Sequence, residues 1–206
     1  MATSRARRAP AQERSRRTVR RILAAAEEIV GEAGVEAATT RAIAQRAGVA
    51  IPSLYRFFPD RDAILDAVLA QMVADLDDRV AALEETWEPG SIEELIGLEL
   101  DVHVDFYARN PTAAALWFGG RASAAVTEAI RARNRKLAAR LRRRMVEHGL
   151  WPADAPPLAV DLLVELGDRV LEVAFRGPGP APDREALALG RAALAAAAER
   201  WARVRA

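Results

Sequence analysis

The side chains best suited to binding chemistry lie together in residues 39–58, TTRAIAQRAGVAIPSLYRFF. This stretch predicts two short helices joined by a turn at Gly48, with Ser53, Tyr55 and Arg56 on the outer face of the second helix. Two short helices around a tight glycine turn are typical of the helix-turn-helix, whose second helix enters the major groove of DNA. Arginine can bind guanine through two parallel hydrogen bonds, so Arg56 is the best candidate for base recognition. A phosphate contact or a solvated position is its alternative.

The helices around this turn have start and stop signals. Thr40 is expected to cap the first helix, which ends near Ala47, and Gly48 is expected to adopt the positive φ that stops it. Pro52 is acceptable in the first turn of the second helix, because the N–H that proline lacks would have no partner there. The residues expected to face the core are Ile43, Ala44, Leu54, Phe57 and Phe58. A helical hairpin with no DNA role shows the same local pattern, so these signals alone leave both interpretations open.

The charge of the chain is unevenly distributed, although the net charge is only +1. Residues 1–60 contain 11 arginines and no lysine against 6 acidic residues, whereas residues 61–206 have an acidic excess. This asymmetry predicts that the N-terminal region meets a polyanion. Residues 1–14, rich in Arg, Ala and Pro, are expected to form a disordered basic arm that lies along phosphates or in a minor groove. A solvated tail is the alternative.

Residues 16–69 resemble the DNA-binding domain of TetR-family transcriptional regulators. The matching motifs are, in chain order, the first predicted helix, Gly34, AGV at 47–49, LYRFF at 54–58 and Asp60-Arg61-Asp62. Two positions depart from the family pattern. The family often has Ser where Ala50 stands, so the second helix here lacks a side-chain cap, and it often has Lys where Arg61 stands, which alters the contact geometry.

The resemblance implies a role for individual residues. The positions of Thr40, Tyr55 and Arg61 are similar to family positions that bind phosphate oxygens. The family positions that read base edges or the adjacent backbone correspond to Ile51, Pro52, Ser53 and Arg56. A core position with an exposed hydroxyl is the alternative for Tyr55. The implied partner is double-stranded DNA with a pseudopalindromic operator, and the implied activity is that of a repressor released by a small molecule; the resemblance does not exclude an activator.

Helical periodicity continues to the C-terminus, and no strand pattern is found. The predicted fold is all-α with about nine helices. A helix-turn-helix domain over residues 15–60 follows the basic arm at 1–14, and a ligand-binding and dimerisation domain occupies residues 61–206. The helices predicted outside the helix-turn-helix lie near 14–33, 60–85, 91–110, 112–118, 121–148, 157–176 and 183–205. The helix at 60–85 is the natural link between the two domains.

The two helices near 157–176 and 183–205 are suited to a homodimer. The last helix has an apolar face of alanines with Gly190, Leu187 and Leu194, where small side chains would let a partner helix approach. The stripe on the preceding helix contains Leu162, Val164, Leu166, Val170, Leu171 and Phe175. We expect a four-helix bundle between two chains, as the resemblance also implies, with packing inside one chain as the alternative. Twofold symmetry would present two recognition helices to a pseudopalindromic site.

Aromatic residues cluster near the middle of the chain. The hypothesis is that an apolar or aromatic effector binds in a cavity between helices. The residues expected to line it are His103, Phe106, Tyr107, Trp117 and Phe118. The alternative is that these side chains fill the helical core. In that case the C-terminal domain would serve only dimerisation or bind a protein partner.

Other classes of function are disfavoured by what the sequence lacks. Without cysteine, disulfides and cysteine-based zinc sites are excluded, and with two histidines neither a metal nor a cofactor is expected. No nucleophile–base pair or phosphate-binding glycine loop is found, so an enzyme is not expected. No apolar run approaches the roughly 20 residues that span a bilayer, and no secretory signal is found. A cytoplasmic location is therefore expected. The basic run at 140–144 is interpreted as a solvated helix end, with a nucleic-acid or membrane patch as the alternative.

Overall fold

The computed structural model describes residues 5–86, 88–119, 123–177, 179 and 181–203, and in these residues the chain forms nine α-helices and no strand. This confirms the predicted all-α fold. A single 3₁₀ turn, Val35–Ala37, lies between the first two helices. The helices are α1 (Arg5–Ala33), α2 (Thr40–Ala47), α3 (Ile51–Tyr55), α4 (Arg61–Thr86), α5 (Ile92–Arg109), α6 (Pro111–Phe118), α7 (Ala124–Glu147), α8 (Pro157–Ala174) and α9 (Arg184–Trp201).

Most helix ends agree with the predicted ones to within a few residues, and α1 is the exception. It extends N-terminally at least to Arg5, whereas the predicted start was near Arg14. The alanines and arginines of this stretch are good helix formers, although Pro10 removes one backbone hydrogen bond of the helix. The first four residues of the expected basic arm lie outside the described residues. The disorder of the arm in the free protein and the domain boundaries stay predictions.

At the N-terminal end of the chain, α1, α2, α3 and the start of α4 pack around one small core. Ile22, Ile43, Leu54 and Ile64, one from each of these helices, are completely buried. Each faces inward because apolar residues recur at helical spacing along its helix. The core therefore fixes the orientation of α3 relative to α1 and α4.

The C-terminal part of the chain is built from the rest of α4 together with α5 to α9. α8 packs between α7 and α9, and α5 packs against α4, α8 and α9. The short helix α6 lies against both α1 and α4, where Thr112 approaches Gly31 and Glu27 of α1. The long helix α4 and the contact of α6 with α1 thus join the N-terminal and C-terminal helices. Among the described residues, none of the helices combines the length and apolarity that a membrane crossing would require.

The crossing of α8 and α9 depends on a glycine. A Cβ added to Gly190 would lie 2.7 Å from Cγ2 of Val170 and closer still to Cγ1. The small-residue face of α9, which we expected to meet a second chain, therefore packs at Gly190 against α8 of the same chain. By contrast, a Cβ added to Gly167 of α8 would meet no atom within 4 Å.

Alanine at these two glycines is expected to have opposite effects on stability. Gly190→Ala should lower the free energy of unfolding by about 2 kcal/mol, because the added methyl overpacks the helix crossing. Gly167→Ala should raise it by roughly 0.5–1 kcal/mol, because alanine restricts the unfolded chain and favours the helix. Urea unfolding of both variants measures the difference. Equal effects of the two substitutions would contradict this packing.

Candidate nucleic-acid interface and effector cavity

The first helix of the helix-turn-helix is capped by Thr39, so the predicted cap at Thr40 is wrong. The Thr39 hydroxyl accepts a hydrogen bond from the Ala42 N–H at 3.1 Å, and Thr39 has extended backbone angles. Gly48 ends the helix with φ of 61°, as expected from its missing Cβ. Because Thr40 is not used as the cap, its hydroxyl is available for another partner.

Two hydroxyls predicted to bind phosphate come together on one surface. The Thr40 hydroxyl of α2 lies 3.3 Å from the Tyr55 hydroxyl of α3. Tyr55 is 49% exposed, which argues against a core position for its ring. The pair creates a small polar patch at the junction of the two helices, and hydroxyl groups of this kind bind phosphate oxygens in protein–DNA complexes.

The outer face of α3 is accessible, whereas its inner face is anchored. Leu54 is completely buried, while Ile51 is 43% exposed. Pro52 is exposed, and Ser53 is half-buried. The helix has no side-chain cap at Ala50, as the sequence indicated. The arrangement places a short helix with a protruding apolar residue on the surface of the bundle formed by α1 to α4.

Two arginines near α3 have different surroundings. Arg56 is exposed just beyond the end of α3, with its guanidinium 4.9 Å from the centre of the Phe57 ring. Arg61 donates a hydrogen bond to the Val35 carbonyl at 2.7 Å and lies 3.8 Å from the Glu36 carboxylate. The Arg56 side chain is thus exposed to solvent, whereas Arg61 joins the start of α4 to the turn before α2.

Sequence reasoning missed the role of Arg21. Its guanidinium donates hydrogen bonds to the carbonyls of Ala47 and Gly48, the last at 3.1 Å. Carbonyls at a helix C-terminus lack partners within the helix, so this side chain completes the end of α2. The density of arginine in α1 was visible, but it did not indicate which arginine turns toward the helix-turn-helix.

A cavity of about 80 Å³ lies between α5, α7, α8 and α9. Its wall is almost entirely aliphatic, and only Glu99, His103 and Asp168 introduce polar atoms. The apolar lining residues are Leu95, Ile96, Leu100, Leu137, Leu141, Met145, Val160, Leu163, Val164, Gly167, Leu171 and Leu194. The cavity is therefore suited to a mainly apolar ligand.

His103 and Asp168 of the cavity wall take part in partly buried polar contacts that involve four helices. Arg133 donates to the Asp77 carboxylate at 2.7 Å and lies 3.5 Å from Nε2 of His103. The Asn134 amide donates to Asp168 at 2.6 Å. Burial and the nearby Arg133 lower the pKa of His103 to about 4, so its ring is neutral at neutral pH. Burial also raises the pKa of Asp168 above its usual value.

Only one of the five predicted ligand residues, His103, lines this cavity. Phe106 and Tyr107 are buried in the core, and the Tyr107 ring contacts those of Phe106, Trp117 and Phe118 at centroid distances of 5.4, 6.4 and 4.9 Å. Trp117 and Phe118 also line a surface groove that shares Asp168 with the cavity. The aromatic cluster thus packs chiefly on itself, and its role in binding a ligand stays a prediction.

The apolar stripe predicted on α8 divides into two faces. Val164 and Leu171 are buried within the chain, and Val170 and Phe175 are half-buried. The other face stays exposed, and α9 also exposes a leucine. We define the outer face of α8 and α9 by Leu158, Leu162, Leu166, Val173 and Leu189, which are between 41% and 66% exposed. Exposed apolar side chains in this number on neighbouring helices indicate an interaction surface.

Comparisons with known proteins agree with this architecture. Residues 22–68 match the family described as bacterial regulatory proteins, tetR family. The chain is 32% identical over 94 residues to the HTH-type transcriptional regulator BetI 2 of Chromohalobacter salexigens, and the match covers 46% of this chain and 45% of that protein. The chain thus spans less than half the length of this curated relative.

Two solved structures extend the similarity to nearly the whole fold. A TetR-family transcriptional regulator from Streptomyces coelicolor superposes with a TM-score of 0.60 at 28% identity, covering 89% of this chain and 98% of that one. RolR in complex with its ligand resorcinol superposes with a TM-score of 0.62 at 20% identity, covering 93% and 96%. The RolR likeness concerns the fold alone.

Proposed function

Because this chain belongs to the TetR family of bacterial regulatory proteins, we propose that it is a sequence-specific DNA-binding transcriptional regulator. The observation that supports this proposal is the accessible face of α3, on which Ile51 and Tyr55 protrude although Leu54 fixes the helix in the core. A helix held from behind and exposed in front can enter the major groove without rearrangement.

The proposed contacts with DNA are of two kinds. The hydroxyls of Thr40 and Tyr55 bind phosphate and set the register on the duplex. Arg61 at the start of α4 serves the same purpose once it exchanges its contact with Glu36 for a phosphate. The residues that read the base edges and the adjacent backbone are Ile51, Pro52, Ser53 and Arg56. Arg56 supplies the bidentate contact to guanine.

The regulator acts as a homodimer through the outer face of α8 and α9. This surface is apolar and exposed in the single chain, and burying it between two copies removes that area from water. The twofold axis places two copies of α3 on successive half-sites of a pseudopalindromic operator.

The regulator is a repressor that a small molecule releases from its operator. The cavity lies between α5 and α8, and α5 packs against α4, which begins beside the helix-turn-helix. A ligand that binds more tightly to one of two conformations of these helices shifts the population toward that conformation. The shift changes the distance between the two α3 helices of the dimer. The structure of RolR with resorcinol supports a small-molecule ligand in this fold.

A second candidate is a DNA-binding regulator without an effector, in which the C-terminal domain only dimerises or binds a protein partner. The small size of the cavity and the close packing of rings around Tyr107 favour it. Matched titrations distinguish the two candidates. An effector must weaken DNA binding by the same factor by which DNA weakens effector binding.

Selection from random duplex DNA followed by fluorescence anisotropy tests DNA recognition. We expect a pseudopalindrome whose affinity falls steeply as salt is raised. Arg56→Ala should weaken binding by about tenfold and relax the preference at one base pair per half-site. Tyr55→Phe should weaken binding to all sequences equally, by a factor of about five, because only a phosphate contact is lost.

Arg109→Ala is the control, since Arg109 is an exposed arginine on α5 and lies outside the basic run at 140–144. It should leave affinity and sequence preference unchanged. If no sequence is enriched, or if Arg56→Ala and Arg109→Ala behave alike, the role of α3 as a recognition helix is wrong.

A further inference from the structure

The N-terminal half of α1 carries exposed arginines without acidic partners. They are Arg14, Arg16, Arg17 and Arg20. None of their guanidinium groups forms an ion pair within the part of the chain that the structure describes. In the C-terminal half of the same helix, by contrast, Glu28 and Glu32 pair with Arg46 of α2. The positive charge of α1 is therefore concentrated at one end and is available to an anionic partner.

The spacing of these arginines is unfavourable for the helix on its own. Arg16 and Arg20 are four residues apart, and Arg17 and Arg20 are three residues apart. Like charges at these separations lie next to each other on a helix and destabilise it. A polyanion bound beside them removes the repulsion, because its phosphates neutralise the arginines. The pattern thus favours a binding surface over a solvated one.

Packing holds this part of α1 beside the end of α3. Val19 of α1 and Phe57, two residues beyond α3, both pack against the core. Arg16 and Arg20 line one surface groove together with Phe57. The next arginine, Arg21, donates hydrogen bonds to the carbonyls at the end of α2. The helix-turn-helix therefore fixes where Arg16 and Arg20 emerge on the surface.

A third arginine extends the same surface toward the exposed face of α3. The Arg56 guanidinium lies 4.9 Å from the centre of the Phe57 ring, so Arg16, Arg20 and Arg56 all lie close to one aromatic residue. Among the described residues that line the groove, only Glu13 is acidic. Phosphates border both sides of the DNA groove that a recognition helix enters, so a basic surface beside that helix meets the backbone.

We propose that α1 forms a second DNA contact, in which Arg16 and Arg20 bind phosphates of the backbone next to the bases that α3 reads. This inference rests on the proposed DNA binding and is independent of the effector response. Arg16 and Arg20 add affinity without sequence preference, because a phosphate carries no base information. Sequence reading belongs to α3.

Salt titration of a paired variant tests the proposal. The probes are the duplex enriched by selection and a random-sequence duplex of the same length, both followed by fluorescence anisotropy. Arg16→Gln/Arg20→Gln should weaken binding to both duplexes by similar factors of at least about tenfold. On the enriched duplex, the slope of log affinity against log salt should become less steep by about 3 to 4 for a dimer, since each phosphate contact contributes about 0.9. The ratio of affinities for the two duplexes should stay as in wild type.

Three further variants make the test specific. Arg131→Gln/Arg135→Gln removes the same charge from two exposed arginines of α7 with the same spacing, and it should leave the slope and the affinities unchanged. Arg16→Lys/Arg20→Lys keeps the charge and should retain the wild-type slope. Glu13→Gln removes the acidic residue of the groove and should tighten binding to both duplexes by about two- to threefold. Glutamine and lysine are both good helix formers, so α1 is retained in these variants.

The outcomes separate this proposal from the proposed function. A wild-type slope in Arg16→Gln/Arg20→Gln, or the same loss in the α7 pair, would overturn the α1 contact and leave DNA recognition by α3 in place. A lower ratio of affinities would overturn it too, because the arginines would then act through α3. If selection enriches no sequence but the random duplex still shows the reduced slope, the α1 contact is supported and sequence-specific recognition is contradicted. Absence of binding to either duplex would contradict both.

Discussion

Glutamate in place of Leu162 is expected to separate the homodimer and to weaken operator binding by about 100-fold or more. Leu162 is 44% exposed at the middle of α8, one turn from Leu158 and one turn from Leu166. In a dimer formed through this face, the new carboxylate would lose its water without gaining a partner, which costs several kcal/mol. A monomer retains one recognition helix and loses the advantage of binding two linked half-sites.

Sedimentation velocity and anisotropy on a single palindrome measure both effects. Leu83→Glu is the matched control, since Leu83 is an exposed leucine on α4, and it should remain a dimer with unchanged affinity. If Leu162→Glu remains dimeric while Leu83→Glu dissociates, the interface involves α4 rather than α8 and α9.

The helix-turn-helix could be predicted because its determinants are local. Gly48 and Pro52 fix the end of one helix and the start of the next through their own backbone preferences. The misassigned cap shows the limit of this reasoning. Thr39 and Thr40 are chemically identical, and only the backbone angles decide which hydroxyl reaches the N–H of Ala42.

The polar contacts near the cavity could not be predicted because their partners are distant in sequence. Arg133 and Asp77 are 56 residues apart, and Asn134 and Asp168 are 34 residues apart. Their contact depends on the rotation of α7 relative to α4 and α8, which periodicity does not specify. One signal was available, since Asp168 interrupts an apolar stripe, and a carboxylate in such a place needs a buried partner.

The aromatic residues lie close together in the structure, as their proximity in the sequence suggested, but the cavity has aliphatic walls. The proximity of Phe106, Tyr107, Trp117 and Phe118 suggested a pocket, but large rings also fill space efficiently against one another. The structure places them around Tyr107 and places the cavity next to them, behind aliphatic side chains. Sequence proximity of apolar residues indicates a core and does not show where the core leaves space.

Acidification from pH 6.5 toward pH 4 is expected to destabilise the folded protein through His103. Burial, and then the charge of Arg133, lowers the pKa of this imidazole from 6.5 to about 4. In this window the unfolded chain binds a proton that the folded chain does not, so the free energy of unfolding falls as pH falls. The contribution is complete above pH 6.5, is lost by pH 4, and amounts to about 3 kcal/mol.

Other charged groups near His103 also contribute to the pH dependence of stability, so the contribution of His103 must be measured separately. Arg133 and Arg140 oppose protonation of the ring, whereas the hydrogen bond to the Glu99 carbonyl favours it. Asp168 acts in the opposite direction, because its raised pKa means that the folded state binds its proton more tightly as pH falls. The relevant quantity is therefore the difference in pH dependence between wild type and a variant without the imidazole.

His103→Asn removes the titrating ring and keeps an N–H donor near the position of Nδ1. Urea unfolding across the window should show a shallower pH dependence for this variant, whatever its absolute stability. His148→Asn replaces the only other histidine, which is exposed, and should retain the wild-type dependence. An unchanged slope in His103→Asn would mean that folding does not shift the pKa of this imidazole.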